Sequence, residues 1–372
     1  MRLVLLSDPE LPDPWGNFLP AHRLAQEVSR RGARVLHVTL NEPGRPAVER
    51  VSGVAVRRLQ VRAPEEGPVG WLKFAALARF TLRFWLRELR EKPPLLIHAH
   101  LSPAAVWLAA RAAAALGTPW CVSALGTAAE SALLRGRRAK RLESSLRSCA
   151  AAVAPSDEFL KLLELRLPPG CRREVIPPAV DVTPEPLPEA PVVLAAGRQE
   201  QEMGFDVLLR AFVAVRRQRP DAVLVLAGDG PHRRALARLA RALPAEVQSG
   251  VRWEAAPGRE SLLALYRGAR VVAFPRLVEG GELAVAGAMA AGRAVVVTEA
   301  GGFPVHAIDG GNALVVPPDD AGALGEAILS LFENPLRCEH LAQAGQAEAV
   351  RSLSWVDAAD RYLHLFRTLA KK

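Results

Sequence analysis

The stretch FPRLVEGGELAVAGAMAAG, residues 274–292, decides the fold of this chain. The apolar residues 271–274 that lead into it predict a buried strand. The glycine pair at 280–281 predicts a tight loop, and the small residues 283–291 predict a helix directly after it. In a strand-loop-helix unit, the backbone N–H groups of the loop and the positive end of the helix dipole point to the same place. Anions bind there. Glu279 stands at the mouth of this loop, so we predict an active site, or the remnant of one, here.

Apolar runs alternate with helical patterns along almost the whole chain, which predicts parallel sheets built from β-α-β units. A length of 372 residues favours two domains, and six prolines within 174–191 mark the boundary between them. We therefore predict an α/β protein with two facing, doubly wound, Rossmann-like domains. Their predicted ranges are 1–183 and 192–354, with a linker at 184–191 and a last helix, about 355–372, that crosses back to the first domain.

Composition narrows the class of protein and its compartment. No run of about 18 uncharged apolar residues occurs, so no membrane-spanning helix is expected, and the first ten residues predict a strand and not a signal peptide. The four cysteines are widely spaced and form no CxxC pair, which indicates a reducing, cytoplasmic compartment and excludes a cysteine-rich zinc site. They are Cys121, Cys149, Cys171 and Cys338.

The net charge of +9 is concentrated in the first half of the chain. Residues 1–190 hold 27 Lys and Arg against 19 Asp and Glu, a surplus of 8, whereas the rest hold 21 against 20. This asymmetry suggests an anionic partner, although an Arg- and Ala-rich composition alone could produce part of it. Residues 70–92 predict the most amphipathic helix. Its apolar side is broadened by Phe80 and Phe84, and it could pack on a sheet or dock on an anionic bilayer.

Several motifs of the second half form a specific combined series, continued more loosely in the first half. They are GRQEQEMGFDVLLRAFVAV (197–215), LVLAGDGP (224–231), LYRGARVVAFP (265–275), EGGELAVAGAMAAGRAVVVTEAGGFP (279–304), NALVVPPDD (312–320) and SWVDAADRYLHLF (354–366), then HAH (98–100), VAPSDEF (153–159) and IPPAVD (176–181). In this combination the chain resembles the family-4 retaining glycosyltransferases, which have the GT-B fold.

The resemblance implies a nucleotide-sugar donor, linked to UDP, GDP or ADP, in the C-terminal domain. It implies a hydroxyl or lipid-linked glycan acceptor in the N-terminal domain, and no required metal. Arg198 would hold the pyrophosphate and Glu279 would orient the donor sugar, so both are the predicted catalytic residues. The predicted donor-binding residues are Gly16, Arg198, Gly228, Asp229, Gly230, Arg276, Gly280, Gly281 and Glu282.

Several positions depart from the family pattern. Met203 stands where a lysine is usual, Gly287 replaces the second of two glutamates, and Leu125 replaces a histidine that commonly faces the donor sugar. Glu282 places a further carboxylate where the phosphates would lie. Without a metal, the charge of a departing nucleoside diphosphate needs protein cations. We therefore expect Arg276 to offer the charge that Met203 no longer supplies.

Two functions remain open at this point. The first is a retaining glycosyltransferase in cell-envelope polysaccharide or glycolipid synthesis, cytoplasmic or peripheral on the cytoplasmic membrane face. The second is a catalytically degenerate homologue that binds a partner glycosyltransferase or a glycan; no nucleic-acid partner is expected. The loops after residues 6 and 100 would admit the acceptor. His100 could serve there as a base or be a packed histidine, and His98 is expected to be buried in its strand.

Overall fold

The computed structural model describes residues 1–8, 20–41, 44–62, 68–124, 142–177, 179–182, 185–255, 259–278, 282–300 and 306–371. Contacts between residues divide the chain into two compact units. Within the described part, one unit comprises the residues up to 177 together with 355–371, and the other comprises residues 179–354.

The first unit is built on an eight-stranded sheet with the strand order β3-β4-β2-β1-β5-β6-β7-β8. Its strands are β1 (Arg2–Leu6), β2 (Arg34–Leu40), β3 (Val48–Val51), β4 (Val54–Leu59), β5 (Leu96–His100), β6 (Trp120–Ser123), β7 (Ala151–Ala154) and β8 (Arg172–Val175). Its helices are α1 (Pro20–Arg30), α2 (Pro68–Glu91), α3 (Pro103–Leu116), α4 (Asp157–Glu164) and, at the end of the chain, α12 (Trp355–Ala370). All neighbouring strands are parallel except the edge pair β3 and β4.

The sequence explains where these elements begin and end. The central strand β1 is apolar and buried from Leu3 onward, and it pairs with β2 and β5 on either side. Ser102 caps α3, because its hydroxyl accepts a hydrogen bond from the backbone N–H of Ala105 at 3.1 Å. Gly117 ends the same helix in the left-handed conformation that favours glycine. These signals fix the turn between β5 and α3, which carries polar side chains discussed below.

The second unit is built on a six-stranded sheet with the strand order β11-β10-β9-β12-β13-β14, parallel throughout. Its strands are β9 (Val192–Ala196), β10 (Val223–Ala227), β11 (Val251–Glu254), β12 (Val271–Phe274), β13 (Ala294–Thr298) and β14 (Leu314–Val316). Its helices are α5 (Phe205–Gln218), α6 (Arg233–Ala242), α7 (Ala245–Gln248), α8 (Arg259–Gly268), α9 (Glu282–Ala290), α10 (Ala321–Glu333) and α11 (Pro335–Ser352), with a short 3-10 helix at Gln201–Met203.

The predicted class, α/β with two Rossmann-like parallel sheets, is confirmed. The last helix, α12, packs on α1 in the first unit, where Arg31 Nε donates to Asp360 Oδ1 at 2.8 Å. His98 is fully buried in β5, as expected, with its ring centroid 5.3 Å from that of Phe366 on α12. Among the described helices, none is long and apolar enough to cross a membrane.

Candidate functional site at the carboxyl edge of the second sheet

Three loops meet at the carboxyl edge of the second sheet because β9 lies between β10 and β12. The loop after β9 is bonded to the turn after β10 through its backbone. Gln199 N donates to Asp229 O at 2.9 Å, and His232 N donates to Gln199 O at 2.8 Å. The predicted turn at Gly228, Asp229 and Gly230 therefore belongs to the same rigid structure as the loop that carries Arg198.

Two glycines permit the close approach of these loops. A Cβ atom on Gly230 would lie 2.5 Å from the backbone oxygen of Gln199, and one on Gly204 would lie 1.8 Å from the backbone oxygen of Pro275. Real Cβ atoms do not come so near to backbone atoms, and Gly204 also has a positive φ of 64°. Leu277 N completes the link by donating to Glu202 O at 2.9 Å. The loops after β9, β10 and β12 are therefore packed backbone against backbone.

A buried cation lies between the loops after β9 and β12. The guanidinium of Arg276 is held with Nη1 3.1 Å from Met203 Sδ and with Nε donating to Val278 O at 3.4 Å. The loop below it is fastened by Thr298, whose hydroxyl donates to Arg276 O at 2.6 Å. Arg276 is only 9% exposed. The two positions that the sequence analysis connected, 203 and 276, are thus in direct contact.

Arg198, the other predicted phosphate ligand, is arranged differently. Its side chain is 66% exposed and forms an ion pair with Glu200, with Nε and Oε1 2.7 Å apart. Exposed pairs of this kind contribute about 0–1 kcal/mol, so little free energy opposes a rearrangement of Arg198 toward an anion. The site combines one buried, fixed cation with one exposed, movable cation.

The remaining predicted residues fall into two groups. Gly16, Leu125, Glu279, Gly280 and Gly281 lie outside the described residues, and their roles stay predictions. Glu282 is the first residue of α9, so this helix begins where the sequence placed the anion-binding loop.

Gly287 lies within α9, in place of the family's second glutamate. A Cβ atom there would have Tyr266 Oη as its nearest neighbour, at 4.0 Å, which is ordinary contact. Tyr266 is itself buried and donates to Ala284 O at 3.4 Å. Burial raises the pKa of Tyr266, so its hydroxyl stays protonated. The space next to Gly287 has not been filled by a neighbouring side chain among the described residues.

Two residues of this edge were missed in the sequence. Gln199 is fully buried, and neither of its amide atoms has a hydrogen-bond partner within the described ranges. Arg233 at the start of α6 donates to Gly228 O at 3.1 Å and stacks its guanidinium 4.5 Å from the ring centroid of Trp253. The only sequence signal for Gln199 was a polar residue directly after Arg198, which does not reveal burial.

The first unit has a polar cluster of its own at the carboxyl edge of β1 and β5. Ser102 Oγ donates to Asp8 Oδ1 at 2.7 Å, which joins the two loops predicted to admit the acceptor. Burial raises the pKa of the Asp8 carboxyl, although the bond from Ser102 opposes that shift. Burial also lowers the pKa of His100 to about 4. His100 is buried, as the packed alternative requires, and its Nε2 has no hydrogen-bond partner among the described residues.

Three further histidines extend this cluster. Ser7 Oγ lies 3.0 Å from His37 Nε2, and His37 Nδ1 lies 3.1 Å from His22 Nδ1. On the neighbouring strands, His98 Nε2 lies 2.8 Å from Ser123 Oγ. Burial, followed by the neighbouring histidines, holds the pKa of His37 and of His98 well below the ordinary value. Burial therefore favours the neutral form of these histidines.

No group of three or more His, Cys, Asp or Glu that could hold a metal ion occurs within the described ranges. The cations and backbone N–H groups of the second sheet's edge could hold a phosphate. The two units, each with a Rossmann-like sheet, define a two-domain α/β protein.

Comparison with known families identifies the class more closely. The model for "Glycosyl transferase 4-like domain" matches residues 21–179, and the model for "Glycosyl transferases group 1" matches residues 190–334. The chain belongs to the family-4 glycosyltransferases with the GT-B fold, and the resemblance noted in its sequence is confirmed.

The curated proteins that match this chain share about a quarter to a third of its residues over the aligned regions. A GDP-mannose-dependent alpha-(1-6)-phosphatidylinositol monomannoside mannosyltransferase of Mycolicibacterium smegmatis is 31% identical over 50% of this chain and 54% of its own length. The chain thus matches only about half the length of this relative. A D-inositol 3-phosphate glycosyltransferase of Saccharomonospora viridis is 27% identical over 97% of this chain and 91% of its own.

Solved structures support the fold along the whole chain. Sucrose-phosphate synthase from Thermosynechococcus elongatus superposes with a TM-score of 0.78 at 22% identity, covering 99% of this chain and 98% of that one. Anabaena HepE in complex with UDP and glucose superposes with a TM-score of 0.74 at 16% identity, covering 98% and 99%. These likenesses show the GT-B fold alone.

Proposed function

We propose that this glycosyltransferase moves a sugar from a nucleoside-diphosphate donor to a hydroxyl acceptor with retention of the anomeric configuration. The observation that carries the proposal is the contact between Arg276 Nη1 and Met203 Sδ at 3.1 Å. The family pattern has a lysine at position 203, and here a buried guanidinium lies directly beside that position. The cationic charge that a diphosphate leaving group requires is therefore present, although another residue supplies it.

The transfer breaks the bond between the anomeric carbon and the diphosphate oxygen and forms a bond from that carbon to the acceptor oxygen. The acceptor's hydroxyl proton leaves with the nucleoside diphosphate. Negative charge builds on the diphosphate during this step, and fixed cations in a buried site stabilise it most effectively. In the proposed roles Arg276 and Arg198 hold the diphosphate, and Glu279 orients the donor sugar.

For the acceptor, we propose a hydroxyl of a polyol or of a lipid-linked glycan. The support is chemical: the hydrogen-bonded pair Asp8 and Ser102 joins the loops after β1 and β5, His100 ends β5 beside them, and such groups bind hydroxyls. Two relatives with this kind of acceptor in their names, a phosphatidylinositol monomannoside mannosyltransferase and a D-inositol 3-phosphate glycosyltransferase, point in the same direction.

Calorimetric titration with UDP, GDP and ADP tests the proposal. We expect one of them to bind with a dissociation constant below about 100 μM, roughly −5.5 kcal/mol. Arg276→Ala should weaken that binding by about tenfold or more, because a hydrogen bond to a charged group contributes about 1.5–3 kcal/mol. Arg234→Ala, which removes an exposed arginine from α6, is the matched control and should bind like the parent.

Two results would contradict the proposal. Undiminished nucleotide binding by Arg276→Ala would remove the role given to the buried cation. If the parent chain bound none of the three nucleotides, glycosyl transfer would be excluded. The result would favour the alternative of a catalytically degenerate homologue that binds a partner or a glycan.

A further inference from the structure

Helix α2 presents two opposite apolar faces. Its inner face packs in the core of the first unit through Phe74, Ala78, Leu82 and Trp85, which confirms that part of the predicted packing. Its outer face also carries large apolar side chains. Val69, Leu72, Leu77, Phe80 and Phe84 are 49–68% exposed. At 100° per residue they fall within an arc of about 140° that points away from the buried face.

This outer face is more apolar than ordinary surfaces. Single exposed apolar residues are common, but five large ones on one side of a helix favour an interaction surface. The rings of Phe80 and Phe84 pack edge to face with centroids 4.9 Å apart, so they form one patch. Core packing explains only the inner face, and the outer face needs another partner.

The charges around the patch identify the kind of partner. The helix contains five cations and two acids, and all five cations are exposed: Lys73, Arg79, Arg83, Arg87 and Arg90. Of the two acids, Glu88 pairs with Arg57 of β4 at 3.4 Å. Within the part of the chain that the structure describes, none of the five cations has a carboxylate within ion-pair distance. Lys73, Arg83 and Arg87 project among the apolar side chains and Arg79 and Arg90 lie along one edge, so the patch carries positive charge that no described carboxylate compensates.

A second like-charge contact strengthens this field. Arg79 and Arg111 lie on the indole ring of Trp107, with their guanidinium carbons 6.0 Å and 3.8 Å from its centroid. Burial and then the charge of Arg79 lower the pKa of Arg111, because two cations repel each other there. Arg111 of α3 therefore adds a sixth cation beside the five of α2.

We propose that the outer face of α2 docks the first unit on an anionic lipid bilayer. The exposed apolar side chains would enter the interface between headgroups and acyl chains, and the cations would meet acidic headgroups. A second copy of this chain is a poorer partner, because two identical faces would bring the same positive charges together. The proposal does not depend on the donor site, which lies in the other unit.

Co-sedimentation with vesicles tests this surface. The full chain is incubated with phosphatidylcholine vesicles, with or without 30% phosphatidylglycerol, in low and in high salt. We expect binding at least about tenfold stronger on the acidic vesicles, and weaker in high salt. Phe80→Ser/Phe84→Ser and Arg83→Glu/Arg87→Glu should each reduce binding at least about tenfold. All four residues are exposed, so both variants should fold.

Two matched control variants test whether vesicle binding is specific to this surface. They report nonspecific hydrophobic binding and nonspecific electrostatic binding elsewhere on the chain. Val350→Ser/Val356→Ser changes two valines that are 55% and 60% exposed, and Arg234→Glu/Arg238→Glu reverses two exposed arginines of α6. Both controls should bind vesicles like the parent. Equal binding to neutral and acidic vesicles, or equal loss in the controls, would overturn the proposal. So would sedimentation velocity showing a dimer that Phe80→Ser/Phe84→Ser dissociates, because the patch would then be a contact between copies.

Discussion

Replacing Met203 by lysine restores the family residue, yet the structure predicts that it destabilises the free protein. Met203 Sδ lies 3.1 Å from Arg276 Nη1, and Arg276 is buried. A lysine ammonium at this position would lie roughly 5 Å from the guanidinium. At an effective dielectric constant of about 20, two such charges repel by about 3 kcal/mol.

Part of that repulsion will be relieved, because residue 203 is half-buried and a lysine can turn its ammonium toward water. We therefore expect Met203→Lys to lower the free energy of unfolding by about 1–2 kcal/mol. For a unit of this size the corresponding loss in Tm is about 2–8 °C. A bound diphosphate would neutralise both cations, so the nucleotide found by calorimetry should restore most of the lost Tm and bind more tightly than to the parent.

The measurement is thermal unfolding with and without nucleotide, for a cycle of Met203→Lys, Arg276→Ala and the double variant. Met203→Leu is the uncharged control. The cycle should give a coupling free energy of about 1–2 kcal/mol, because lysine is tolerated once the guanidinium is gone. If Met203→Lys is as stable as Met203→Leu, or if the two changes are additive, the assignment of Arg276 to the lysine's place is refuted.

Three further predictions concern stability. Gly287→Ala should raise the free energy of unfolding by about 0.5–1 kcal/mol in urea titration, because the helix interior gains an alanine and its Cβ meets nothing nearer than 4.0 Å. Gly230→Ala should instead lower it by several times that amount, since its Cβ would press on the Gln199 backbone at 2.5 Å. His100 has a folded pKa of about 4 against about 6.5 unfolded, so the unfolded chain binds more protons between these values. The free energy of unfolding should fall by up to about 3 kcal/mol as the pH falls through this window. Between pH 7 and pH 5, the His100→Asn variant should lose less unfolding free energy than the parent.

The regular elements were predictable because their signals are local. The apolar run of β1 and the small-residue pattern of α9 were correctly assigned, and His98 was correctly placed in a buried strand. The strands β3 and β8, with sequences VERV and RREV, were not predicted. Each has four residues and charged side chains at an edge of the sheet, so neither alternation nor an apolar run reveals it.

The contacts of the site were less predictable than its position. The sequence indicates an anion-binding loop before α9, and the structure starts that helix at Glu282. The contact between residues 203 and 276 joins loops from different strands, and it depends on the absence of side chains at Gly204 and Gly230. Local sequence patterns do not indicate contacts between loops that are far apart in the sequence. The two faces of α2 illustrate the same limit, because periodicity shows apolar residues but not which of them the core covers.

The contact between Met203 and Arg276 also changes how the departures from the family pattern should be weighed. Counted separately, a lost lysine and an unusual arginine are two anomalies, and the first alone suggests an eroded site. In the structure they are neighbours, so we interpret them as one relocation of a positive charge between adjoining loops. No described side chain comes nearer than 4.0 Å to a Cβ atom on Gly287, so the described neighbours leave room for a side chain there. The proposed diphosphate site would thus keep a buried guanidinium beside the position that the family fills with lysine, which favours retained binding over an eroded site.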